Sequence, residues 1–146
     1  MKRGYFGIGI YNPKTEANVG MLWRSALNFE ADFLFTIGKR YKEQATDTPK
    51  SFRHIPFYHY KDWNDMIEHI PMNAKLICVE QTENARNLKN FIHPERAIYV
   101  LGAEDYGIPI NLMRGHEKVF IETPICLNVA IAGSIVMFDR KNKEYD

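Results

Sequence analysis

The fold is decided by residues 5–37, which read YFGIGIYNPKTEANVGMLWRSALNFEADFLFTI. Tyr5–Tyr11 is an apolar run that ends before Pro13, which predicts a buried strand followed by a turn. From Val19 onward, apolar side chains recur at the three- and four-residue spacing of an amphipathic helix. Residues 32–37 predict a second strand. Strand, helix and strand at this length predict a βαβ unit with a right-handed crossover.

The same alternation continues along the chain. We expect further strands at residues 57–60, 74–80, 96–101 and 118–122, and further helices at residues 62–70, 83–91, from Pro109 and at 127–140. This order predicts a single α/β domain over residues 1–146, with a mostly parallel sheet and helices on both of its faces. Ligands of such a sheet bind at the carboxyl ends of the strands.

The composition fits one globular domain in a reducing compartment. The chain has 146 residues, of which 45% are hydrophobic, so it can bury a sizeable core. It has 19 Lys and Arg against 18 Asp and Glu, so any nucleic-acid-binding surface must be local. Cys78 and Cys126 stand apart, which argues against a disulfide framework and against a zinc site. We expect a cytoplasmic protein with no metal and no membrane segment.

Two glycine-containing stretches do not match nucleotide-binding motifs. Gly4, Gly7 and Gly9 fall within the predicted first strand and not at a strand-to-helix turn, so close packing explains them better than dinucleotide binding. Residues 102–107 lack the Lys-Ser/Thr pair that a P-loop needs after its second glycine.

Three other patterns are distinctive because of their order along the chain. Asn18-Val19-Gly20, with Arg24 following, lies on the first predicted helix. Residues 101–109, LGAEDYGIP, follow a predicted strand, and residues 123–130, TPICLNVA, lead into the last helix. Together these patterns resemble the SpoU/TrmH family of the SPOUT class, whose members are RNA ribose 2′-O-methyltransferases. The resemblance covers nearly the whole chain.

The resemblance implies a C-terminal trefoil knot, a homodimer, S-adenosylmethionine as cofactor and RNA as substrate. It implies catalytic roles for Arg24, Asn18, Glu104 and Asn128, although Asn128 also suits the N-cap of the last helix and Arg24 could be an ordinary surface arginine. The residues that it implies for cofactor binding lie at strand ends and before the last helix: Val79, Glu80, Leu101, Gly102, Ile121, Thr123, Pro124, Cys126 and Leu127.

Cys126 departs from the family, which commonly has Ser before the Leu-Asn pair. A thiol is a weaker hydrogen-bond partner than a hydroxyl, so polar contacts of that serine are not expected here. This departure supports the alternative function, a non-catalytic RNA-binding or regulatory protein that keeps the methyltransferase fold.

The basic side chains of residues 39–55 predict a surface loop that contacts RNA. We assign RNA binding to Lys39, Arg40, Lys42 and Arg53, because cations that neutralise phosphates account for most sequence-independent affinity. A merely solvated loop is the alternative. Short relatives of this build often act on transfer RNA, so we expect tRNA before rRNA as the substrate.

Overall fold

A computed structural model describes residues 4–41, 55–103 and 105–143. In these ranges the chain forms seven strands: Tyr5–Tyr11 (β1), Phe33–Ile37 (β2), Phe57–Tyr60 (β3), Lys75–Val79 (β4), Arg86–Asn87 (β5), Arg96–Gly102 (β6) and Glu117–Phe120 (β7). It forms four α-helices, Glu16–Asn28 (α1), Trp63–His69 (α2), Ile110–Met113 (α3) and Val129–Asn142 (α4), and a 3-10 turn at Leu88–Asn90.

The strands form one sheet in the order β3-β2-β1-β6-β4-β7-β5. Every pair is parallel, so the predicted parallel α/β sheet is confirmed. One core packs α1 and α4 against the sheet, with Leu22 and Val136 fully buried. The opposite core contains Trp63 of α2 and Met113 of α3. Helices therefore cover both faces, and the strands are apolar on both sides.

Close packing explains the glycines of β1, as predicted. A Cβ at Gly7 would lie 2.3 Å from Cζ of Phe33, and a Cβ at Gly9 would lie 2.3 Å from the carbonyl oxygen of Phe35. Gly4, expected within the strand, instead precedes it and has a φ of 80°, so close packing in β1 does not explain it. The aromatic rings of β2 thus occupy the space above β1, where any side chain would collide with them.

The helix predicted at residues 83–91 is wrong. The chain forms β5, which pairs with β7 through Asn87 and Phe120, and then the 3-10 turn. Asn84 has a φ of 65°, and the Asn87 side chain accepts a hydrogen bond from the Lys89 amide. Both are turn conformations that asparagine favours. Leu88 and Phe91 are buried three residues apart, a spacing that imitates a helix.

Helix α4 begins where a side chain caps it. Asn128 Oδ1 accepts hydrogen bonds from the amides of Ala130 at 2.9 Å and Ile131 at 3.2 Å, which makes it the N-cap. The helix starts two residues later than predicted and ends at Asn142. No helix in the described ranges is both long enough and apolar enough to cross a membrane.

A buried polar network fastens α4 to the start of β6. His93 is fully buried and bonds the Tyr99 hydroxyl and the Asp139 carboxylate, each at 2.7 Å. Arg140, 1% exposed, donates to the carbonyl oxygens of Pro94 at 2.6 Å and Glu95 at 2.8 Å, and to the Tyr99 hydroxyl at 3.1 Å. Burying these groups is tolerable because they bond one another.

Candidate functional site

A pocket opens where the carboxyl ends of β4 and β6 meet the segment between β7 and α4. It is lined by Val79, Glu80, Gln81, Leu101, Gly102, Ala103, Phe120, Ile121, Thr123, Cys126, Leu127, Val129 and Ala132. Every residue that the sequence assigned to cofactor binding lies on this lining except Pro124, which is exposed beside it. Parallel strands bring these separate segments together because their carboxyl ends share one edge.

The lining combines apolar side chains with one half-buried carboxylate. The carboxyl group of Glu80 accepts a hydrogen bond from the Ile108 amide at 3.3 Å. Burial raises the pKa of Glu80 above its ordinary value, and the Ile108 hydrogen bond lowers it by a smaller amount. The pocket therefore offers an apolar surface with a hydrogen-bond acceptor at its edge.

Two glycines make room for this carboxylate. A Cβ at Gly102 would lie 2.2 Å from Oε2 of Glu80, and a Cβ at Gly107 would lie 2.8 Å from Oε1. Gly107 also has a φ of +65°, which favours glycine. The family resemblance implies that Gly102 belongs to the cofactor-binding residues. In the structure, the Glu80 carboxylate takes the space that a side chain at Gly102 would fill.

A second cavity, the cleft, adjoins the pocket and has a volume of about 590 Å³. It is lined by Ile10, Pro13, Lys14, Thr15, Asn18, Ala103, Asp105 and Val129. Ala103 and Val129 belong to both linings. Beside them, the Asn128 side-chain amide donates to Oδ1 of Asn18 at 2.9 Å. The first and third sequence patterns therefore meet at the boundary between the two cavities.

The other two residues expected to be catalytic are not in this contact. Arg24 is exposed on α1 and is not among the described residues that line either cavity. It lies six positions after Asn18, which in an α-helix is a rise of about 9 Å and a rotation of roughly 240°. A Cβ at Gly20 would meet nothing within 4 Å, so the surface one turn before Arg24 is open. Glu104 lies outside the described residues.

Arg40, for which RNA binding stays a prediction, forms an ion pair with Asp105. Its two terminal nitrogens donate to the two carboxylate oxygens at 2.6 and 2.7 Å, and its Nε donates to the Asn12 carbonyl at 3.2 Å. The guanidinium hydrogen bonds hold the pKa of the Asp105 carboxyl well below its usual range. The guanidinium carbon lies 5.2 Å from the ring centroid of Tyr106. Sequence reasoning missed Asp105 and Tyr106.

Of the other three cations assigned to RNA binding, only Lys39 lies within the described residues. Nζ of Lys39 lies 5.7 Å from the ring centroid of Tyr41, and Lys42 and Arg53 lie outside the described residues. RNA binding by these side chains stays a prediction.

The two cysteines differ in environment. Burial raises the pKa of Cys78 to about 12, so its thiol is protonated and unreactive near neutrality. Cys126 is exposed at the pocket. The described ranges contain no group of three or more His, Cys, Asp or Glu side chains that could hold a metal ion.

Comparison with solved structures finds the same fold in RNA methyltransferases. A structure described as giving insights into the 2-OH methylation of C/U34 on tRNA has a TM-score of 0.82 at 17% identity, over 94% of this chain and 95% of its own. An AdoMet-bound rRNA methyltransferase from Sinorhizobium meliloti has a TM-score of 0.79 at 17% identity, over 96% of this chain but 57% of its own. The TrmH/SpoU tRNA modifying enzyme of A. aeolicus has a TM-score of 0.77 at 17% identity, over 96% of this chain and 75% of its own.

At such identities the structures establish the fold alone. A comparison with curated protein sequences finds no significant match. The sequence profile of the SpoU rRNA Methylase family, however, matches residues 6–138, which is nearly the whole chain. The matched range contains the Asn18–Asn128 contact and both cavities. On that match, this chain belongs to the SpoU rRNA methylase family.

Proposed function

We propose that this chain transfers the methyl group of S-adenosylmethionine to a ribose 2′-hydroxyl of RNA. The observation that carries the proposal is the Asn18–Asn128 hydrogen bond at the boundary between the pocket and the cleft. In this proposal the cleft holds the RNA and is the substrate cleft. A methyl donor in the pocket would face an acceptor in the cleft across this boundary. Holding two reactants in one geometry removes much of the entropic barrier to their reaction.

The chemistry of the pocket lining suits the cofactor. The methyl donor is S-adenosylmethionine, whose sulfonium supplies an activated methyl group. Leu101, Ile121 and Leu127 offer an apolar surface for a flat base, and Glu80 offers an acceptor for hydroxyl or ammonium donors. The loop before α4 contributes backbone groups as well, which do not depend on Cys126 standing in place of serine.

In this proposal, Arg24 acts on the site of a second copy of the chain. Its exposed position on α1 keeps it off both linings of its own protomer. The neighbouring surface of α1 and α4 exposes large apolar side chains: Met21 at 49%, Ile131 at 50% and Phe138 at 58%. We propose that this surface forms a homodimer, that Arg24 reaches the partner's cleft, and that its planar guanidinium holds the RNA backbone there.

Transfer RNA is the first candidate substrate. One solved neighbour that this chain matches over nearly its full length is described with the 2-OH methylation of C/U34 on tRNA. Several other neighbours, including the Sinorhizobium meliloti rRNA methyltransferase, are considerably longer than this chain. We also propose that the enzyme works in the cytoplasm and that its last third forms the trefoil knot implied by the family.

A labelling assay tests this function directly. The protein is incubated with S-adenosylmethionine labelled in its methyl group and with total tRNA or rRNA, and the RNA is then hydrolysed with alkali. A 2′-O-methyl group blocks cleavage of the adjacent phosphodiester, so we expect label in alkali-resistant dinucleotides from tRNA. Label in mononucleotides would contradict ribose methylation. Label in neither RNA would favour the non-catalytic alternative.

A further inference from the structure

We infer that Tyr106, backed by Arg40, is a stacking platform for an RNA base at the rim of the substrate cleft. This inference rests on the proposed function, because it names how the substrate of the same site would be held. The Tyr106 side chain is 80% exposed, so most of its ring surface is open to solvent. So large an aromatic ring outside the core is a surface that a ligand can contact.

Hydrogen bonds of Asp105 and a cation–π contact with Arg40 hold Tyr106 in place. Asp105 binds Arg40 through two hydrogen bonds and also accepts one from the Tyr106 amide at 3.1 Å. The Arg40 guanidinium, anchored further by the Asn12 carbonyl, lies 5.2 Å from the Tyr106 ring centroid. A charged donor with a fixed fork geometry is thus placed against the ring, where cation–π attraction holds it.

The platform stands beside the proposed site of methyl transfer. Asp105 lies on the lining of the substrate cleft, and Ala103, two residues earlier, belongs to both cavities. Exposed Lys14 is on the same lining and offers a cation for a phosphate. A nucleotide chain entering the cleft would therefore pass a cation and an open aromatic ring.

Stacking is the chemistry that uses such a ring. Every nucleobase presents a flat π-face, and stacking on an aromatic side chain contributes about 1–3 kcal/mol per base with little dependence on sequence. A ring already held in one orientation loses less conformational entropy when the base arrives. The ligand is therefore an unpaired base of RNA near the target ribose.

The test compares four substitutions at Tyr106 by their effect on binding of unmodified total tRNA. Tyr106→Ala and Tyr106→Leu remove the aromatic face, so we expect the dissociation constant to rise by about 5- to 100-fold. Tyr106→Phe and Tyr106→Trp keep a flat ring and should stay within about twofold of the natural protein. Tyr58→Ala, which removes an exposed tyrosine on β3, is the matched control and should leave the dissociation constant for tRNA unchanged.

Two further measurements separate the platform from other causes. The dissociation constant for S-adenosylmethionine should be unchanged in all Tyr106 variants. On irradiation, bound tRNA that contains 4-thiouridine should form a cross-link to Tyr106 or to a neighbouring residue. The inference is overturned if Tyr106→Leu binds tRNA as tightly as the natural protein, if Phe fails to preserve binding, or if the natural protein binds no tRNA.

These experiments distinguish failure of the stacking platform from failure of the proposed function. If the natural protein labels tRNA but Tyr106→Leu binds tRNA normally, the platform fails and the methyltransferase assignment stands. If tRNA binding depends on an aromatic Tyr106 but no label is transferred, the platform stands and the assignment fails.

Discussion

At the scale of single residues, Glu80 is a carboxylate kept half-buried in the pocket at the ends of β4 and β6. Because its pKa is raised in the folded state, the folded protein holds that proton more readily than the unfolded chain does. The contribution of Glu80 to the free energy of unfolding therefore falls as pH rises above the unfolded pKa of about 4.3. A neutral side chain of the same shape avoids this cost.

We expect Glu80→Gln to raise the melting temperature at pH 7 and to weaken S-adenosylmethionine binding by roughly tenfold, or about 1.4 kcal/mol. The first effect follows from removing a half-buried charge, and the second from losing an acceptor in the pocket. Thermal melts between pH 4.5 and 8 and titration calorimetry measure the two effects, with Glu117→Gln, an exposed carboxylate on β7, as control. Unchanged cofactor affinity would remove Glu80 from the binding site.

Cys126 provides a direct probe of the pocket. Its thiol is exposed on the lining, whereas Cys78 is buried and serves as an internal control. With S-adenosylmethionine at ten times its dissociation constant, the free protein falls to about one part in eleven, so alkylation of Cys126 should slow by roughly tenfold. Mass spectrometry of timed samples with iodoacetamide measures this rate. Equal rates with and without cofactor would argue that the cofactor binds elsewhere.

At the scale of elements, α4 depends on the buried contacts of Arg140. We expect Arg140→Met to lower the free energy of unfolding by about 2–4 kcal/mol, because the Pro94 and Glu95 carbonyls would lose their charged donor. Lys141→Met is the matched control: Lys141 makes an exposed ion pair with Glu30, which contributes about 0–1 kcal/mol. Urea denaturation measures both variants. Equal losses would contradict the anchoring of α4 by Arg140.

We expect the same network to make the stability of the protein sensitive to acid. Burial lowers the pKa of His93 below its ordinary value of about 6.5, although Asp139 opposes the shift and the Arg140 and Lys143 charges add to it. The unfolded chain then binds the proton more readily, so the free energy of unfolding should fall as pH decreases below about 6.5.

Comparing urea denaturation at pH 7.5 and 5.5 tests this contribution. His93→Gln should lower stability at pH 7.5 but reduce the additional loss on going to pH 5.5. A His93→Gln protein with an undiminished loss at pH 5.5 would place the acid sensitivity in another group.

At the scale of the whole molecule, the proposed dimer makes the site shareable between protomers. Arg24→Ala and Asn128→Ala should each abolish methyl transfer when expressed alone. In a hybrid dimer, one cleft would combine the natural Asn128 of one chain with the natural Arg24 of the other. We therefore expect coexpressed hybrids, isolated with two affinity tags, to recover about half of the natural activity if Arg24 acts across the interface. Inactive hybrids would confine Arg24 to its own protomer.

Local pattern was sufficient for most of the elements. The apolar runs of β1 and β4 and the helical spacing of α1 lie within a few residues, so sequence periodicity reveals them. The error at residues 83–91 has the same origin, since Leu88 and Phe91 bury at a helical spacing while turn-forming asparagines and pairing with β7 decide the backbone. The pocket residues followed from strand ends and family resemblance together.

The sequence by itself determined the α/β class, the positions of most helices and strands and the three patterns that mark the family. Only the tertiary structure decided which distant groups meet. Asn18 and Asn128 are 110 residues apart, and Arg40 and Asp105 are 65 apart, yet each pair is within hydrogen-bond distance. The reason is physical. Periodicity reflects the burial of residues close together in sequence, whereas contacts between distant residues depend on which strands lie side by side in the sheet.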